Sequence, residues 1–134
     1  MKIKPYIFQL PKIGSKESGY ISLIEGSHLL PFTPKRIYWI YDVSNRTERG
    51  GHYHHKLHQI IICVNGKLTV KLENIKGVKT KFILDKPSKA LYIPSNHWRD
   101  ITFEKNSILL CIASEIYNEN DYVRDYKKFK NINL

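Results

Sequence analysis

Short apolar-rich segments, each broken off by turn residues, recur along most of this chain. Segments of that length at about ten-residue spacing favour an all-β sandwich or barrel over a helical or α/β fold. "KLTVKLE" shows the period of two most plainly, with Leu68, Val70 and Leu72 facing inward and the lysines outward. "KRIYWIYDV" alternates as well, setting Ile37, Trp39 and Tyr41 on one side and Arg36, Tyr38 and Ile40 on the other. "KIKPYIFQL", "GYISLIE", "HQIIICV", "TKFIL", "KALYI", "HWRDITF" and "SILLCIAS" complete the series. Asn65-Gly66, at the end of "HQIIICV", is a hairpin signal. The tail "NENDYVRDYKKFKNINL" breaks the pattern: acids first and bases later suit a helix dipole, with Tyr122, Val123, Tyr126 and Phe129 as its apolar stripe.

At 134 residues the chain is expected to form one domain, residues 1–134, with a hydrophobic core. No apolar run is long enough to span a bilayer, and "MKIKPYIFQLPKIG" lacks the features of a signal peptide, so a cytoplasmic protein without membrane contact is expected. Cys63 and Cys111 sit inside apolar runs and read as buried thiols. Lysine and arginine outnumber acids by 22 to 12, a net charge of +10. The bases are dispersed rather than blocked, so a small anionic molecule fits as well as a nucleic acid does.

The chemistry concentrates in "RGGHYHHKLHQIIICVNG", Arg49 to Gly66. On a strand His52 and His54 share a face, and Tyr53 and His55 take the other. A glycine, His-x-His, then Gln59 and Gly66 resembles in spacing the first motif of the cupin family, and "PSNHWR" resembles the second. Two positions depart from the metal-binding cupins. Gln59 stands where they place a glutamate, and Arg99 stands where they place a histidine. A neutral amide is a weak ligand, and a guanidinium offers no lone pair and repels a cation. The expectation is therefore no metal, and an acid–base pocket for an anionic or enolising organic substrate.

A narrower resemblance covers nearly the whole chain. "KRIYWIYD", "RGGHYHHKLHQIIICVNG", "ALYIPSNHWRDI" and "LLCIASEIYNENDYVRDYKKF" look like the nucleotide-linked sugar 3,4-ketoisomerases within the cupin superfamily. That resemblance implies a double-stranded β-helix (a jelly roll) with a short C-terminal helix. It also implies a homodimer with exchanged N-terminal strands, a dTDP-linked 4-keto-6-deoxy sugar as substrate, and no metal or organic cofactor. The 3-keto product would later be aminated for surface glycans such as lipopolysaccharide. His52 is the expected base, with His54 as relay or orienting group, and Tyr38 is expected to pass a proton to or from a sugar oxygen. Arg36, Arg49 and Arg99 are expected to hold the diphosphate or the enediolate. Gln59 and Trp98 complete the expected substrate-binding set, Trp98 as a stacking platform against the alternative that it packs. Arg99 stands where gluco-type members tend to have arginine, but the position near Ser18 matches neither subtype, so both configurations at carbon 4 stay open.

Two other functions compete. A cupin-type dTDP-keto-sugar epimerase would use a histidine backed by an aspartate with a tyrosine opposite, and no such pair stands at matching spacing. A non-catalytic nucleotide- or nucleic-acid-binding β domain would rest on the charge alone, without the dense basic stripe and interleaved aromatics it needs.

Overall fold

The computed structural model describes residues 4–26 and 29–132. In chain order the strands are β1 (Tyr6–Gln9), β2 (Ile13–Ser15), β3 (Gly19–Ile21), β4 (Arg36–Ile40), β5 (Thr47–His54) and β6 (Gln59–Asn65). They continue with β7 (Leu68–Asn74), β8 (Lys79–Leu84), β9 (Lys89–Ile93), β10 (His97–Phe103), β11 (Ile108–Ala113) and β12 (Tyr122–Val123), followed by helix α1 (Tyr126–Lys130). The strand expected over "KIKPYIFQL" thus begins at Tyr6, and Lys2 and Ile3 lie outside the described residues.

Two five-stranded antiparallel sheets form, in the orders β1-β9-β6-β11-β4 and β12-β5-β10-β7-β8, and β2 and β3 pair as a separate hairpin. From β4 to β11 every consecutive pair of strands lies in opposite sheets except β7–β8. This is the expected jelly roll, with the short helix at its C-terminal end. Between the sheets lies the main core, where Leu68, Val70, Leu72, Leu91, Ile93, Phe103 and Leu109 are buried. The inward set expected from "KLTVKLE" is thus the one observed.

Two local expectations change. Asn65-Gly66 is not a hairpin turn: β6 pairs with β9 and β11, and β7 pairs with β10 and β8. A tight turn reverses the chain equally well within a sheet or from one sheet to the other, and here the main core draws β7 across. The hairpin turn lies one strand later, where the Asn74 side chain accepts from the N–H groups of Lys76 and Val78 at 2.9 Å each. The tail helix is shorter than its apolar stripe. Tyr122 and Val123 are strand residues paired with His54 and Tyr53, and only Tyr126–Lys130 is helical. Asp125 caps it, accepting from Lys127 N–H at 2.9 Å. Phe129 is its one buried residue and packs on Tyr53 and Trp98.

Gly66 has φ +87°, and a Cβ there would lie 2.3 Å from Ser107 Oγ and 2.8 Å from Ser107 Cα. Ser107 Oγ in turn holds the Lys67 N–H and carbonyl. Gly66→Ala is expected to cost about 1–3 kcal/mol of stability, as read by urea denaturation, because both the backbone and the serine must give.

Candidate active site

β5 carries a deliberate irregularity. Arg99 pairs with His52 and Asp100 with Gly50, so Gly51 is an extra residue. Gly50 and Gly51 have φ of +92° and +65°, and a Cβ on Gly50 would strike the Arg99 carbonyl at 2.7 Å. The glycine pair therefore makes the bulge that sets His52 directly across from Arg99.

A cavity of about 500 Å³ opens between the sheets at this point. His52, Arg99 and Gln59 line it together with Arg36 and Tyr38 of β4 and Arg49 of β5. The structure so brings together six of the residues expected from sequence. It also adds Tyr122, Arg124 and Glu48, and Glu48 is the single acid among the lining residues. Arg124 stacks on Tyr122 at 4.3 Å and is bound through two nitrogens to Glu119 at 2.7 and 3.0 Å. Asp121, Tyr122 and Arg124 all fall within the closing segment that carried the resemblance, but nothing in the spacing of Arg124 marked a role for it beforehand.

Trp98 does not belong to the set. Successive side chains on a strand point to opposite faces, so Trp98 leaves the site that Arg99 enters. Its ring packs with Phe129 and Tyr126, and its indole N–H donates to Asp100 Oδ2 at 3.1 Å. The packing alternative is the observed one.

Arg99 is 1% exposed, yet both of its hydrogen-bond acceptors among the described residues are neutral: Gln59 Oε1 and the His97 carbonyl, the latter at 3.0 Å. Burial lowers its pKa to about 10, which leaves it a cation at neutral pH. Because its Oε1 faces Arg99, Gln59 must turn its Nε2 the other way, donating to Tyr38 Oη at 3.0 Å and toward Cys111 Sγ at 3.3 Å. Burial, with Cys111 second, raises the Tyr38 pKa far above that of an ordinary tyrosine. Tyr38 is therefore a neutral phenol that keeps its proton to donate. Its oxygen is already an acceptor for Gln59. The donor set is also unsuited to a metal, since the amide oxygen at the ligand position is taken by a guanidinium.

His52 Nδ1 lies 3.0 Å from the Gly50 carbonyl. A carbonyl only accepts, so Nδ1 carries the proton and Nε2 is the free base. Burial first and Arg99 second push the His52 pKa down to about 4. His54 is lowered in the same direction by burial, then by Arg99 and His52. It is 1% exposed, and its Nδ1 lies 3.2 Å from Asp121 Oδ2. The His–Asp pair that spacing did not reveal is therefore present, between residues 67 positions apart. Tyr122 packs on both imidazoles, at 5.0 Å from His52 and 4.2 Å from His54.

Residues 3–133 match the family described as "FdtA: WxcM-like, C-terminal". The chain belongs to this family. A curated relative, the TDP-4-oxo-6-deoxy-alpha-D-glucose-3,4-oxoisomerase of Aneurinibacillus thermoaerophilus, is 34% identical over 84% of this chain and 81% of its own length. Among solved structures, a sugar 3,4-ketoisomerase from Thermoanaerobacterium thermosaccharolyticum in complex with TDP is similar at a TM-score of 0.87. The two are 35% identical, over 98% of this chain and 95% of that one. A histidine-to-asparagine variant of that enzyme, in complex with TDP-4-keto-6-deoxyglucose, matches with TM-score 0.87 and 34% identity over 98% of this chain and 94% of that one. A dTDP-4-dehydrorhamnose 3,5-epimerase from Bacillus anthracis shares the fold alone, at a TM-score of 0.78 and 13% identity over 88% and 76% of the two chains.

The depressed histidines make stability depend on pH in one direction. Between the ordinary histidine pKa of about 6.5 and the folded His52 value of about 4, the unfolded chain binds more protons than the folded one. Stability is then fully present above pH ~6.5 and falls as pH drops through that window. Urea midpoints measured across it should fall more gently for His52→Asn than for the wild type.

Proposed function

We propose that this chain is a dTDP-4-keto-6-deoxy-D-glucose 3,4-ketoisomerase, an isomerase that moves the carbonyl from carbon 4 to carbon 3 by acid–base chemistry. One observation carries the reading: a buried cation, hydrogen-bonded among the described residues only to neutral acceptors, lies directly across the strand pair from an imidazole whose Nε2 is free. Family membership and the activities named for its relatives support the same reading.

His52 Nε2 removes the proton on carbon 3, which the neighbouring ketone acidifies. The electron pair forms the carbon 3–carbon 4 double bond, and the carbonyl π pair moves to oxygen 4, where Tyr38 supplies a proton. In the second half oxygen 3 returns a proton to the Tyr38 phenolate, the carbon 3 carbonyl forms, and carbon 4 takes a proton from the His52 imidazolium, which restores both groups. Atoms balance with no oxidant or cofactor. Arg99 stabilises the enediolate in a site too dry to screen it. Its charge also depresses His52, and the diphosphate of a bound substrate opposes that effect by bringing negative charge among Arg36, Arg49 and Arg124. Those arginines at the cavity and its mouth suit a nucleotide diphosphate better than a neutral sugar.

His52→Asn is expected to lower the rate of 3-keto product formation, followed by NMR, by about 10²–10⁴-fold. Chelator should leave the wild-type rate unchanged. Deuterium incorporated at carbons 3 and 5 instead of carbon 4 would make the chain an epimerase and overturn the assignment.

We read the assembly as a homodimer with exchanged N-terminal strands, in the cytoplasm where nucleotide sugars are made. No helix among the described residues is long and apolar enough to cross a membrane. Supporting the dimer, the outward side chains Ile37, Trp39 and Tyr41 are 57%, 61% and 60% exposed on and just past the edge strand β4. The β2–β3 hairpin stands apart from both sheets with Ile13 and Ile21 58% and 64% exposed. A second copy would cover both apolar faces. Sedimentation at micromolar concentration should show a dimer, and Trp39→Asp should shift it toward monomer; a monomeric wild type would refute this.

A further inference from the structure

His54 stands behind His52, out of the cavity lining, and burial holds it neutral. A neutral imidazole has two tautomers, and a buried one takes whichever its fixed partner selects. Asp121 is such a partner, pinned from several sides. Its Oδ1 accepts from Lys56 N–H at 2.8 Å, and its Oδ2 accepts from Leu57 N–H at 3.2 Å. Its backbone N–H donates to the Asn118 carbonyl at 3.0 Å, and its carbonyl accepts from His55 N–H at 3.1 Å. A carboxylate so bound can only accept at His54 Nδ1, so that nitrogen is protonated. His54 Nε2 is then a lone pair, buried and without a hydrogen bond among the described residues.

The ring held in this way is a wall of the base. His54 meets His52 edge to face, with centroids 4.8 Å apart and planes at 84°. Turning His54 over would break its bond to Asp121 and bring the Cε1–H to the place of the lone pair. We propose that Asp121 is a positioning residue for the isomerisation: it locks His54 in the Nδ1–H tautomer, and the locked ring holds His52 in its reacting orientation. This rests on the ketoisomerase reading for its effect on rate, but not for the tautomer itself.

Asp121→Asn separates the two. With its oxygen kept for the stronger Lys56 N–H bond, the asparagine gives up the Leu57 N–H and turns an N–H₂ toward His54, which draws the imidazole proton to Nε2. Nitrogen-15 NMR of the full chain should show His54 as Nδ1–H in the wild type and Nε2–H in the variant. The variant kcat should fall on the order of 10²-fold with KM changed by less than about twofold, since the residue touches no substrate. A wild-type His54 protonated at Nε2, or a variant with the switched tautomer that turns over at the wild-type rate, overturns the proposal. If D121N does not fold, the wild-type spectrum alone decides the tautomer. If the chain does not isomerise the sugar at all, the two spectra still judge the lock while the function reading fails separately.

Discussion

The guanidinium of Arg99, 1% exposed and bound to the amide oxygen of Gln59, governs the site. A buried cation is costly, and neutral acceptors return only part of its lost hydration. The protein accepts that penalty where an anion can offset it. The same bond decides which way the Gln59 amide faces, and hence that Tyr38 receives an N–H at its oxygen and keeps its own proton for something else. Burial first, and this charge second, keep His52 neutral, so that the base is in its accepting form before substrate arrives. One charge thus sets the acid, the base and the place where negative charge can develop.

The fold makes such a convergence possible because its consecutive strands cross between sheets. Tyr38 on β4, His52 on β5, Gln59 on β6, Arg99 on β10 and Cys111 on β11 come from both sheets and point into the same interior. Strands are stiff and their side chains alternate strictly, so each residue's face follows from its register. At one position register alone would not suffice. There the bulge at Gly50 and Gly51 shifts the pairing so that His52 meets Arg99 rather than Trp98.

Much of this was legible in the chain beforehand. Alternation in "KRIYWIYDV" assigned Arg36 and Tyr38 to one face, and the structure puts both on the cavity. The paired histidines and the departures at Gln59 and Arg99 pointed to acid–base chemistry, and these groups do stand together. Trp98 was less legible because residue type suggests stacking while the face is set by register against Arg99. Asn65-Gly66 misled because local turn chemistry does not say which sheet the next strand joins. Asp121 was missed because its partner His54 is 67 residues away, and a contact made through tertiary packing leaves no spacing to read.

From the order of residues alone came the β architecture, the inward faces of the strands and the choice of arginine over a metal ligand, because periodicity and side-chain chemistry are local properties. The tertiary structure decided which nitrogen of His52 carries the proton, which way the Gln59 amide points, and that the acceptors Arg99 finds among the described residues are neutral. Those features depend on hydrogen bonds and desolvation between segments far apart in the chain, and they exist only once the two sheets have closed.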